Sequence, residues 1–123
     1  MENDEKIYSY KDLIVWQKAM SLVVKIYELT RKFPDSEIYG LISQMRRSAV
    51  SIPSNIAEGR RRSSRKDFRQ FLVISYGSGS ELETQIEIAK RLKFGNESNY
   101  AEVESLLSEI MRMLNKMLAG LRS

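Results

Sequence analysis

The chain has no cysteine and no histidine. Without cysteine there is no disulfide and no thiolate metal site, which fits a reducing compartment without demanding one. Without histidine, the commonest general base and the commonest metal ligand are both missing. Proline occurs only twice, at Pro34 and Pro53, so few positions can break a helix. Long apolar runs are absent as well. Nothing approaches the roughly 20 residues needed to span a bilayer. The N-terminus, Met1-Glu2-Asn3-Asp4-Glu5-Lys6, is acidic and polar, whereas a signal peptide needs a basic start and an apolar middle. These absences predict a cytoplasmic protein without a membrane segment.

The remaining composition is that of one soluble domain: 123 residues, 42% hydrophobic and 29% charged. A chain of this size can bury a core, although many amphipathic domains of this size also need partners. The net charge of +4 is unevenly spread. Residues 1–40 carry seven acids and six bases, and so do residues 70–123. The excess lies between them, in Arg46, Arg47, Arg60, Arg61, Arg62, Arg65, Lys66 and Arg69, against Glu58 and Asp67 alone. A local concentration of Arg is the electrostatic footprint of a surface that meets polyanions.

Hydrophobic periodicity is helical throughout. Residues 1–9 read as a flexible polar segment and residues 10–123 as one domain. A first helix is predicted from Asp12, as N-cap, to about Lys32. It has one stripe of Leu13, Trp16, Met20, Val23 and Tyr27 and a second of Val15, Ala19, Leu22, Ile26 and Leu29. Pro34 blocks its continuation. A second helix, about 37–58, carries Leu41, Met45, Ala49, Ile52 and Ile56; Pro53 should kink it and Gly59 should stop it. A third starts near Ser64, with Ser63 or Ser64 able to cap it; it carries Phe68, Phe71, Leu72, Ser75, Leu82, Ile86 and Ala89 and ends near Leu92 before Gly95 and Asn96. A fourth, from about 97 to 121, aligns Val103, Leu106, Leu107, Ile110, Met113, Leu114 and Met117. Four such helices with short loops predict an all-α fold, an antiparallel up-down-up-down four-helix bundle.

Gly77-Ser78-Gly79-Ser80 has the composition of a linker, yet the helical stripe runs through it in phase from Leu72 to Leu82. It reads as a small-residue patch inside the third helix. Two glycines there cost about 2 kcal/mol against alanine. Close approach of another helix, from this chain or from a neighbour, would compensate. The first helix is apolar around most of its circumference, wider than a monomeric bundle requires, and this points to a cyclic homo-oligomer.

The pattern disfavours catalysis. Nucleophilic triads need a base. Di-metal bundles need Glu-x-x-His pairs, and none is present. Glu81 and Glu83 are two residues apart, so on a helix they diverge and cannot share one metal. Gly77 and Gly79 lack the preceding strand and following Lys of a phosphate loop. No enzyme activity, no cofactor and no metal are expected.

The basic segment has an ordinary reading and a functional one. Folding residues 46–81 about a turn near Arg62 brings Arg47 within a turn of Glu81, and Glu58 near Arg65 or Lys66, so some of these charges serve as structural ion pairs. Arg46 and Arg47 divide evenly between the two readings. Arg60, Arg61 and Arg62 have too few acids nearby, and Arg65 and Arg69 extend them. Arg offers phosphates a planar bidentate fork. Stacking platforms need exposed rings beside such groups. Tyr8, Tyr10 and Tyr39 are distant in sequence, while Phe68 and Phe71 read as core, as does Trp16.

The order of residues also resembles a known family. The carriers are Tyr10-Lys11-Asp12-Leu13, Val15-Trp16, Ala19, Phe33-Pro34, Tyr39-Gly40-Leu41, the block from Gln44 to Gly59, Gly77-Ser78 and Glu81 to Gln85. Together they resemble the four-helix-bundle proteins encoded in intervening sequences of bacterial 23S ribosomal RNA. The resemblance implies a ring-like homopentamer and kinship with accessory proteins of diversity-generating retroelements, which bind nucleic acid and a reverse transcriptase. It also implies that a ribosomal-protein label would be historical naming. Arg46, Arg47, Asn55 and Glu58 fall on the family's shared polar positions, as do Glu81 and Glu83; the Arg60 to Arg62 triplet lies just past the block. The expected function is non-enzymatic binding of RNA or DNA phosphates by an oligomer. The alternative is a scaffold that docks an acidic protein or a polymerase such as a reverse transcriptase.

Overall fold

The computed structural model describes residues 9–122. The N-terminal segment expected to be flexible lies outside them, apart from Ser9, and so does Tyr8. Four long α-helices are present among the described residues: α1 (Ile14–Thr30), α2 (Leu41–Arg60), α3 (Arg65–Arg91) and α4 (Glu97–Gly120). Short 3-10 turns at Tyr10–Asp12 and Asp35–Glu37 precede α1 and α2. No strand occurs among the described residues. None of these helices is long and apolar enough to cross a membrane. The helices form a bundle in which α2 packs on α1 and α3, and α4 closes the circuit against α3 and α1.

The boundaries correct several expectations. Asp12 does not cap α1. Its carboxylate accepts from the Ser9 N–H, and the Ser9 hydroxyl accepts from the Lys11 N–H, so the pair closes the 3-10 turn instead. Leu13 occupies the N-cap position with no side-chain bond. The start predicted for α2 near residue 37 is this second 3-10 turn, and the helix proper begins at Leu41, whose N–H donates to the Glu37 carboxylate at 3.0 Å. Gly59 does not stop α2; it lies buried inside the last turn. Of the two cap candidates, Ser64 caps α3, accepting from the Asp67 N–H at 3.1 Å, and Asn96 caps α4.

Of the two stripes on α1, one forms core: Val15, Ala19, Leu22, Ile26 and Leu29 are buried. The other lies at the surface, with Met20 and Tyr27 exposed and Leu13, Trp16 and Val23 half-buried. The whole predicted stripe of α2 is buried, as are Leu72, Leu82, Ile86 and Ala89 of α3 and Val103, Leu107, Ile110 and Leu114 of α4. Each large aliphatic side chain removed from water in this way contributes about 2 kcal/mol before entropy is charged against it.

The closest helix contact is α2 on α3, and small residues make it. A methyl group built on Gly59 would sit 2.7 Å from the Phe71 Cβ. The Ser51 and Ser78 hydroxyls lie 2.7 Å apart, and the Ser75 hydroxyl donates to the Ile52 carbonyl at 2.9 Å. Of the two α3 glycines, Gly79 is packed against the Met111 side chain of α4, within the same chain. Gly77 faces open space.

Two outcomes follow. Gly59→Ala gains about 1 kcal/mol of helix propensity but forces α2 and α3 apart at two Cβ atoms that cannot yield. The net expected is a loss of about 1–2 kcal/mol, read as a lower urea midpoint. Tyr100 is buried, donating to the Phe94 carbonyl at 2.7 Å, and burial, aided by the nearby Glu104 charge, pushes its phenol up to about 12 from 10.0. A group whose folded pKa is raised favours the fold while protonated. Its contribution is therefore complete below pH 10 and is lost as pH rises toward 12. Tyr100→Phe should show a shallower decline of stability with pH over that window in equilibrium unfolding.

Candidate nucleic-acid interface

The tip of the bundle is a tight connection. Four residues, 61–64, join α2 to α3. The Arg61 N–H bonds to the Ala57 and Glu58 carbonyls, and the Arg62 N–H to the Gly59 carbonyl. This short turn holds Arg60, Arg61, Arg62, Arg65 and Lys66 exposed at one end of the molecule. Arg69 follows one turn into α3 and is half-buried.

These cations are not equivalent. The Arg62 guanidinium pairs with Glu58 at 2.6 Å, one turn back in α2, and lies over the Phe71 ring at 5.0 Å. Glu58 is thus matched by Arg62 of the turn, four residues on, and not by Arg65 or Lys66 at the start of α3. Arg61 lies over the Tyr10 ring at 5.1 Å, and Tyr10 meets Trp16 edge-on at 5.3 Å. An aromatic ring therefore does stand beside the Arg run, brought there by the N-terminal 3-10 turn. Separation along the sequence hid it. Phe68 is half-buried against the core, and Phe71 is half-buried beside Gly59, with Arg62 over its ring.

Arg65 reaches across to α4 and donates to the Gly120 carbonyl at 3.1 Å, occupying a free acceptor at that helix's C-terminus. Beside this bond runs an open groove of 760 Å³ lined by Arg65, Lys66, Arg69, Gln70, Leu121 and Arg122. None of its four cations has an ion-pair partner among the described residues. The Arg69 Nε–H is buried with no acceptor among those residues. Arg122 was missed in the sequence because it lies more than 50 residues from the other cations. The signal for it is the pairing of the α3 start with the α4 end, which only the packing reveals.

Arg46 and Arg47 stand elsewhere. They are 14 and 13 residues before Arg60 on the same helix, about 20 Å along its axis. Arg46 ties α2 to α1: its Nε donates to the buried Thr30 hydroxyl at 2.9 Å, and its guanidinium lies 4.3 Å from the centre of the Tyr27 ring. Arg47 is exposed and forms no ion pair with Glu81 among the described residues. Asn55 spends its amide on the Ser51 carbonyl and hydroxyl, at 2.9 and 3.0 Å, and so supports the α2–α3 contact. Glu81 and Glu83 are exposed on α3. No three acidic side chains converge as a metal site among the described residues. Arg46→Ala should cost about 1–2 kcal/mol in thermal unfolding, through loss of the Thr30 bond and the ring contact, and should leave nucleic-acid affinity unchanged.

Comparisons with known proteins agree with this architecture. The chain superposes on a solved structure from Bacteroides thetaiotaomicron, described as a protein with unknown function from the S23 ribosomal protein family, with a TM-score of 0.76 and 25% identity. The match covers 85% of this chain and 98% of that one. Comparison with curated proteins gives no match. The sequence profile of the 23S rRNA-intervening sequence proteins matches residues 11–116, from the 3-10 turn almost to the end of α4. The chain belongs to the family of 23S rRNA-intervening sequence proteins.

Proposed function

We propose that this chain is a non-enzymatic, oligomeric nucleic-acid-binding protein that grips phosphates at the α2–α3 end of its bundle. The observation that carries this reading is the groove of Arg65, Lys66, Arg69 and Arg122, four cations around one open surface without an acidic partner among the described residues. Guanidinium groups held apart by two helices can fork around phosphate oxygens. Exposed Arg60 and Arg61 continue the positive surface around the tip.

The recognition is of backbone and not of base. The groove offers charge but no exposed ring in its lining. RNA is the first ligand to test, since the family is named for an intervening sequence of 23S rRNA. An antiparallel up-down-up-down order is part of the proposal. The pairs Lys18–Glu109 and Lys25–Glu102, and Lys90–Glu104 against Arg65–Gly120, support it, since numbers rising along one helix fall along its neighbour. Such an order puts the α2–α3 turn and the α4 end together. A cytoplasmic location and assembly into a closed oligomer complete the reading; repetition of the groove around an oligomer would raise avidity for a long polyanion.

The test is affinity for a labelled structured RNA and a matched DNA duplex over a salt series. Wild-type affinity should fall steeply with salt. Replacing Lys66, Arg69 and Arg122 together by Ser should lower affinity and reduce the salt slope by about 2–3, close to one for each phosphate that is no longer neutralised. Replacing Arg60, Arg61 and Arg62 by Ser should have a smaller effect, because Arg62 is already matched by Glu58. Equal affinity for wild type and the groove variant would end the reading. Binding to an acidic protein without nucleic acid would instead favour a scaffold.

A further inference from the structure

The lining of the α3–α4 groove holds one polar side chain for which phosphate has no use. Gln70 stands there among Arg65, Lys66, Arg69, Leu121 and Arg122. It follows Lys66 by four residues on α3, so the two share a helix face, and Arg69 precedes it directly. Gln70 is exposed, and its amide has no hydrogen-bond partner among the described residues. Every other polar side chain of the lining is a cation. Asp67, the acid of the first turn of α3, is not part of it.

The hydrogen-bonding chemistry of such a lining is one-sided. Ammonium and guanidinium groups donate and accept nothing, whereas an amide does both. Oε1 of Gln70 is therefore the only side-chain acceptor in the groove. A phosphodiester cannot satisfy it, because its oxygens only accept. The sugar–phosphate backbone of a DNA strand has no donor between its ends. That of RNA has one at every nucleotide, the ribose 2′-hydroxyl, which accepts as well as donates. Leu121, the one apolar residue of the lining, gives sugar carbons a surface to rest on.

We infer that Gln70 selects RNA over DNA by bonding a ribose 2′-hydroxyl while the cations around it hold the neighbouring phosphates. This role rests on the phosphate-binding reading of the same groove and narrows its ligand. Cations alone accept either backbone, since both carry the same charge per nucleotide. The amide separates them, because a deoxyribose at the same place leaves it to water. A neutral hydrogen bond of this kind is worth about three- to tenfold in affinity.

The experiment compares one hairpin sequence made as RNA, as DNA and as 2′-fluoro RNA, which keeps the A-form shape without the hydroxyl donor. Wild type should bind the RNA about three- to tenfold more tightly than either of the others at one moderate salt concentration. Gln70→Leu keeps the size and helix propensity of the side chain and removes both polar atoms. It should bring RNA affinity down toward the other two, lower DNA affinity far less, and retain the salt slope on RNA. Equal wild-type affinity for RNA and 2′-fluoro RNA would overturn the inference in favour of recognition by backbone shape. An equal loss on RNA and DNA in Gln70→Leu would also overturn it, as would no loss on either. A loss confined to one of two unrelated RNA sequences would assign the amide to a base edge and overturn it too. In each of these cases a salt slope that falls when Lys66, Arg69 and Arg122 are replaced leaves the phosphate reading standing. Absence of wild-type binding to all three hairpins would end both.

Discussion

The structure depends on how closely α2 can approach α3. Gly59 provides the space at one end, where a single methyl group would collide with Phe71. The serine hydroxyls of Ser51, Ser75 and Ser78 fill the middle with hydrogen bonds, and one of them ends on the Ile52 carbonyl beside Pro53. Buried hydroxyls are tolerated only when bonded in this way. Because the two helices touch so far toward their shared end, four residues suffice to connect them. That short turn is what compresses the arginines into one tip. A looser contact would need a longer loop and would scatter the charge.

The arginines then divide their labour according to what the packing brings near. Arg46 faces a hydroxyl, a carbonyl and an aromatic ring and is consumed in joining α1 to α2. Arg62 finds Glu58 one turn behind it. Arg61 rests over Tyr10. Cations left without an acid among the described residues line the α3–α4 groove, together with Arg122 from the other end of the sequence. Exposed pairs such as Arg62 with Glu58 contribute little to stability. Their larger effect is on the field, because they decide where positive charge goes unneutralised.

Much of the fold was legible in the sequence. The whole stripe of α2 falls on core positions, as do Leu72, Leu82, Ile86 and Ala89 of α3 and Val103, Leu107, Ile110 and Leu114 of α4, because these are local properties with a fixed helical period; Phe68, Phe71, Leu106, Met113 and Met117 are only half-buried. The errors concern choices between local options. Asp12 could cap α1 or close a turn with Ser9, and Gly59 could end a helix or make room inside one; tertiary packing decides both. Of the site, the cations after Arg60 were legible as a cluster. Their separation from Arg46 and Arg47 was not, because a helix of 20 residues puts charges that look contiguous in composition on different parts of the surface. Tyr10 and Arg122 were invisible for the converse reason, being distant in sequence and near in space.

The bond from Arg65 to the Gly120 carbonyl couples the groove to the end of α4. A guanidinium that turned toward a bound anion would give up this acceptor and leave the exposed Gly120 carbonyl to water in place of a side chain that ties it to α3. Occupancy of the groove and order in the final turn thus compete for one side chain. Amide exchange near Ala119 and Gly120 should then quicken when the groove fills, which makes the α4 end an internal reporter of whether a ligand is held by Arg65 or only by its neighbours.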